Sequence, residues 1–212
     1  MSYEKLLNLN IEFRGDRDYL HGTDIYNAIH SSFLETLQVA HLENIRFKIP
    51  HFFMSSIDLI ISESPQVSKA EWLCQASGLN LQGKIAENPS AAKPQRRPFD
   101  ESKLTELMSL TGQGAFLKLP NEASPIEGIV FLAKYLHYQL FPVDAESQWI
   151  FTRLELNSSL NRDDSKDVCV EFESALNGFY TKSAITVSGV RRGFIFFSIV
   201  NKNTKKAEVA LI

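Results

Sequence analysis

Cysteine is scarce: Cys74 and Cys169 are the only two, and they form no CxxC pair. Neither a disulfide framework nor a zinc site with the usual ligand spacing is supported, and two reduced thiols in a cytoplasmic protein are expected. Long apolar runs are missing too. No stretch approaches the roughly 20 apolar residues of a membrane span, and Met1-Ser2-Tyr3-Glu4-Lys5 lacks the charged-then-apolar pattern of a secretory leader. No membrane partner is therefore expected. Charge of one sign does not accumulate either: a formal net charge of −3 and a pI near 6.0 leave no electrostatic footprint for nucleic acid. His30, His41, His51 and His137 show no metal-ligand spacing, and there is no HExxH, Walker loop, GxGxxG after a strand or GxSxG elbow. Nucleotide binding and serine hydrolase chemistry have no support, and no metal or cofactor is expected.

Phenylalanine, by contrast, is abundant. Fifteen Phe stand against two Trp and six Tyr, and most fall in short runs of β-type residues, which predicts a sheet-dominated core. At 212 residues the chain has ample length to bury one. A repeat organises it. The segments Asp18-Tyr19-Leu20-His21-Gly22-Thr23-Asp24-Ile25 and Ser124-Pro125-Ile126-Glu127-Gly128-Ile129-Val130-Phe131 each open a helix after a polar approach, with Gly22 and Gly128 as the matching anchors. The first helix is predicted from about Thr23 to Leu37, with Ile25, Ile29, Phe33 and Leu37 on one face, and Leu132, Leu136 and Leu140 form the corresponding stripe. Strands are predicted before the helices at Leu9–Phe13 and Ala115–Leu119. After them come Ile45–Ile49 and Thr152–Leu156, then Ser55–Ile61 and Val168–Phe172. Each copy closes with a hairpin through a Ser-Gly turn, Ser77-Gly78 and Ser188-Gly189, where Gly supplies positive φ. The expected organisation is a first repeat at 1–87, a Pro-punctuated linker at 88–110 that carries a short helix from an Asp100 cap through Leu104, Leu107 and Met108, and a second repeat at 111–212.

A strand, one long central helix and an antiparallel run of strands, all repeated, resembles the hotdog fold in its fused double form; the expected class is α+β. Locally, His21-Gly22-Thr23-Asp24-Ile25-Tyr26 looks like the HGG-type helix entry of hotdog thioesterases, and Pro125-Ile126-Glu127-Gly128-Ile129-Val130 is similar to the MPGV-type entry of hotdog dehydratases. The resemblance implies an enzyme of acyl-thioester metabolism, of thioesterase or dehydratase type, whose substrate is carried on coenzyme A or an acyl carrier protein. It implies an active site at the mouth of a central helix between the repeats, and a homodimer of double hotdogs is compatible with it. The physical basis is plain in the sequence. A helix entered through Gly presents backbone N–H groups with the positive end of the helix dipole behind them, a setting suited to a polarised carbonyl oxygen.

The sequence departs from the family pattern in specific places. Five positions after the glycines, where the dehydratases place an acid, stand Asn27 and Ala133. Nine positions before the helix, where they place a histidine, stand Phe13 and Leu119. The remaining catalytic candidates are His21, Asp24 and Glu127, a histidine and two carboxylates at helix mouths. The substrate-binding candidates are Gly22, Thr23, Tyr26, Asn27 and Gly128, with Arg46 and Arg153 at equivalent strand positions suited to a carrier phosphate. Each has a structural reading beside the chemical one: His21 as a turn residue, Asp24 and Glu127 as first-turn acids favoured by the dipole, Tyr26 as aromatic packing, the arginines as solvated surface. Asp16, Arg17 and Asp18 form a charged loop at the expected rim. Arg96-Arg97, Arg191-Arg192, Lys202, Lys205 and Lys206 are basic groups suited to an acidic carrier or to ordinary solvation. The competing functional classes are a non-catalytic acyl or small-ligand binding or accessory protein, and an acyltransferase or decarboxylase on the same scaffold.

Overall fold

The computed structural model describes residues 4–63, 71–98, 100–161, 163, 167–176 and 179–202. They fall in two compact units, Met1–Asp100 with Asn157–Ser159, and Glu101–Leu156 with Leu160–Ile212.

The first unit runs β1 (Glu4–Leu9), β2 (Phe13–Arg14), α1 (Gly22–Leu37), β3 (Glu43–Lys48), β4 (Ile57–Glu63), β5 (Trp72–Ala76), β6 (Leu79–Glu87) and β7 (Arg96–Arg97). Its antiparallel sheet has the order β1-β4-β6-β5-β3, while β2 and β7 make a separate parallel pair. Period-two burial explains the strands: Ile57, Leu59 and Ile61 of β4 are fully buried, with half-exposed residues between them. α1 covers the same face with Thr23, Ile25, Tyr26, Ile29 and Phe33, the spacing of one helical stripe. Gly83 of β6 lies under that helix; a side-chain carbon there would stand 3.2 Å from the Phe33 ring and 3.0 Å from Leu59 Cδ1.

The second unit runs α2 (Ser102–Glu106), β8 (Met108–Thr111), β9 (Gly114–Lys118), α3 (Pro125–Leu140), β10 (Ser147–Ser158), β11 (Asp167–Leu176), β12 (Tyr180–Val187) and β13 (Val190–Asn201). Its strands follow the order β10-β13-β12-β11-β9-β8. Both closing hairpins turn through a Ser-Gly pair with positive φ at both residues, 49° and 79° at Ser77-Gly78 and 49° and 76° at Ser188-Gly189. That is the turn whose twist matches antiparallel strands. Each unit thus combines one long helix with antiparallel strands, β1 ahead of α1 and both β8 and β9 ahead of α3, with four more after each helix, an α+β arrangement.

The structure corrects the expected repeat in four places. The strand ahead of α1 is Glu4–Leu9, not Leu9–Phe13, because Leu9 and Leu7 pair with Ile57 and Leu59 of β4, whereas Phe13 pairs with Arg96. Gly22 and Gly128 are not equivalent: Gly22 is the first residue of α1 and Gly128 the fourth of α3. Aligning the two 16-residue helices at their starts matches the buried Thr23, Ile25, Tyr26, Ile29 and Phe33 with the buried Ile126, Gly128, Ile129, Leu132 and Leu136. Gly128 is there to make room, since a side-chain carbon would lie 2.5 Å from Leu119 Cδ1 and 3.2 Å from Leu117 Cδ2. The closing hairpin is inserted in opposite senses. In the first unit its second strand, β6, pairs with β4; in the second unit its first strand, β12, pairs with β11. Finally, the short helix stops at Glu106 and Met108 begins a strand against Leu117, while Arg96–Arg97 within the expected linker pairs with Phe13–Arg14.

Candidate active site at the helix starts

The two long helices begin differently. Ser124, the residue before α3, accepts from the Glu127 amide at 3.3 Å, and its own amide donates to Glu127 Oε2 at 2.7 Å. This reciprocal capping box, with Pro125 in the first turn, follows from the Ser-Pro-Ile-Glu sequence. Glu127 is held by its own helix.

At α1 the residue equivalent to Ser124 is His21, in extended conformation and making no side-chain cap bond. Its carbonyl accepts from the amides of Asp24 and Ile25 at 2.9 and 3.1 Å. Its ring Nδ1 lies 2.7 Å from Thr23 Oγ1. A Thr23 hydroxyl that donates to Nδ1 places the ring proton on Nε2. The approach to His21 is anchored by the Leu20 amide donating to the Phe53 carbonyl at 2.8 Å and by Tyr19 against Phe52.

The acid equivalent to Glu127 is Asp24, and it turns away from the cap. Arg14 Nε donates to its Oδ2 and Arg14 Nη2 to its Oδ1, both at 2.5 Å, and Arg97 Nη2 donates to Oδ1 at 2.6 Å. Arg14 is 1% exposed and Asp24 11%. A guanidinium buried so completely needs a bidentate carboxylate to offset its lost hydration, and Asp24 supplies it. Arg96 fastens the neighbouring loop, donating to the Gly15 and Arg17 carbonyls and to Asp18 Oδ1 at 2.8, 3.0 and 2.5 Å. Asp18 of the expected rim is thereby accounted for. Beside Asp24 opens a cavity of about 430 Å³, lined by the 10–12 segment, Ala28 of α1 and the 92–97 segment.

The other candidates separate by unit. Tyr26 packs on Trp72, Phe47 and His30, its hydroxyl buried without a partner among the described residues and its pKa raised by that burial. Asn27 is half-buried on α1. Arg46 is exposed on β3 opposite Leu73. Arg153 of the second unit pairs with Glu155 and stacks over Phe196, 5.0 Å from its ring centre. His137, a last-turn residue of α3, is 1% exposed. It bonds the Ala133 carbonyl through Nδ1 at 2.5 Å and Thr181 Oγ1 through Nε2, and burial lowers its pKa to about 4. Among the basic groups, Arg191 pairs with Glu173, and Lys205 and Lys206 lie outside the described residues.

The sequence reading placed His21, Gly22, Thr23 and Asp24 at one helix start; it did not single out Arg14, and it took Arg97 as a basic group for an acidic carrier or solvent, whereas both hold Asp24. Arg14 follows Phe13 in an alternating run and reads as solvent-facing; only the contact with a helix residue shows otherwise. Among the described residues no helix is long and apolar enough to cross a membrane, and no three His, Cys, Asp or Glu are grouped to hold a metal.

Among solved structures, the chain is similar to the bifunctional dehydratase-cyclase domain in ambruticin biosynthesis, with 11% identity over 96% of this chain and 92% of that one, at a TM-score of 0.49. It is similar to the pyran synthase domain from module nine of the sorangicin pathway, with 10% identity over 94% and 93% of the two chains, at 0.48. A protein described as a thioesterase II from Thermobifida fusca gives 10% identity over 94% and 91%, at 0.46. No protein-family model and no curated protein matches the sequence.

Proposed function

We propose that the chain is a double hotdog that acts on an acyl thioester, of thioesterase or dehydratase type, at the start of α1. The observation that carries this reading is the contrast between the two helix starts: α3 starts with Pro125, which has no amide N–H, behind a capping box, whereas α1 starts with Gly22, which keeps its N–H, and the His21 side chain before it makes no cap bond. The first-turn amides of Gly22 and Thr23 precede the first intrahelical bonds, and the helix dipole adds positive potential there. A thioester carbonyl oxygen is held by these amides, and charge developing on it is stabilised by donors already in place. His21, adjacent to them and oriented by Thr23, moves the proton or directs a water. Asp24, clamped by two arginines, fixes the first turn and is not the proton carrier.

The engagement of Asp24 and Glu127 with structural partners favours a second reading, an acyl-thioester binding protein without turnover. Hydrolysis and hydration assays over a panel of acyl-coenzyme A and acyl-pantetheine thioesters, with His21→Ala beside the parent, separate the two. The first reading expects turnover that falls about 100-fold or more in kcat/KM on losing His21. Equal turnover in parent and variant removes the site, and saturable binding without turnover selects the second reading.

A further inference from the structure

The cavity beside α1 carries charges that the proposed thioester chemistry does not use. Six polar side chains line it: Asn10, Glu12, Asp24, Lys93, Gln95 and Arg97. Asp24 is satisfied by Arg14 and Arg97. Glu12 and Lys93 are different. They come from separate segments, one ahead of β2 and one ahead of β7, and among the described residues neither has an ion pair or hydrogen bond. The amides of Asn10 and Gln95 likewise have no side-chain partner among the described residues. Ile11 and Ala28 add an apolar surface. The cavity therefore offers one anionic and one cationic group, two amides and an aliphatic patch in about 430 Å³, within the usual range for small-molecule sites.

We propose that this cavity binds a small zwitterion of the amino-acid class, its carboxylate at Lys93 and the outer edge of Arg97, its ammonium at Glu12 and its aliphatic side chain over Ile11 and Ala28. The charge balance selects this class. Lys93 and Arg97 stand at the exposed rim and Glu12 is half-buried, so the selection rests on sign: a ligand with only an anionic group meets repulsion from Glu12, and one with only a cationic group meets it from Lys93. A ligand bearing both satisfies the two walls together. The segment with Ala92, Lys93, Pro94, Gln95 and Arg97 supplies one wall and is tied to α1 through Arg97 and Asp24.

The test is isothermal titration of the full chain with L-leucine, N-acetyl-L-leucine and L-leucinamide, with inorganic phosphate as the simple-anion control. The proposal expects saturable binding of L-leucine and at least a tenfold loss with either blocked derivative. It also expects Glu12→Gln to abolish the preference of L-leucine over N-acetyl-L-leucine, and Lys93→Gln to abolish the preference over L-leucinamide. Both residues lie at the surface away from the core, so the variants keep the fold, and unchanged circular dichroism verifies it. Absence of L-leucine binding, equal binding of the blocked compounds, or phosphate binding as tight as L-leucine overturns the proposal. Thioester turnover at the α1 start is measured separately and neither rescues nor sinks it.

Discussion

The two units begin their central helices with an acid at the same position and use it differently. Glu127 turns back to its own helix, and Asp24 turns outward to Arg14 and Arg97. A helix that spends its first-turn acid on a cap is finished locally. One that spends it on distant arginines instead ties three chain segments together. The comparison teaches that a shared element order does not imply a shared helix start.

The largest expected effect that sharpens this comparison is at a glycine. Gly193 of β13 has φ +151°, and a side-chain carbon there would lie 1.9 Å from the Glu155 carbonyl oxygen. Gly193→Ala should destabilise the second unit by about 4 kcal/mol. Gly83→Ala, which meets side chains at 3.0 to 3.2 Å, should cost the first unit about 1–2 kcal/mol. Urea unfolding of each variant checks both, and equal losses would remove the distinction.

Next in size is the pair of acids. Asp24→Ala leaves the buried Arg14 uncompensated and should cost about 3 kcal/mol. Glu127→Ala removes half of a capping box and should cost about 1 kcal/mol. Comparable losses in denaturant titrations would mean that the arginine clamp is not the stronger tie.

His137 gives a pH signature belonging to the second unit. Its folded pKa, lowered by burial to about 4, lies below the ordinary value of 6.5. The unfolded chain therefore takes up the proton first as pH falls. Stability from this group is fully present above about pH 6.5, declines from there toward pH 4 and falls no further below it, by up to about 3 kcal/mol. His137→Gln should flatten that part of the stability profile, measured by urea midpoints across the range; an unchanged slope would place the acid sensitivity elsewhere. The smallest effect is at Tyr26, whose buried hydroxyl lacks a partner among the described residues. Tyr26→Phe should be neutral or stabilising by less than about 1 kcal/mol, and a clear loss in melting temperature would show the hydroxyl to be engaged.

Much of the architecture was legible because it is local. The stripe Ile25, Ile29 and Phe33 located α1, and the Ser-Gly dipeptides located both hairpin turns, since few residue pairs tolerate positive φ twice in succession. The order of strands within the sheet was not legible. β5 and β6 are both amphipathic and antiparallel, so alternation does not say which of them faces β4. Matching Gly22 to Gly128 misled for a related reason: one glycine starts a helix and the other makes room for Leu119, and glycine looks alike in both roles. At the site, His21 and Asp24 stood out by their place before and within a first turn. Their partners did not, because Arg97 lies far along the chain in a segment that reads as linker.

The most direct test of the account is an amide-resolved NMR titration with a short acyl-pantetheine thioester. Saturable shifts at the Gly22 and Thr23 amides, with Ile126 and Glu127 unmoved, are the predicted result. Shifts centred on the start of α3, or none at Gly22 and Thr23 at saturation, would contradict it.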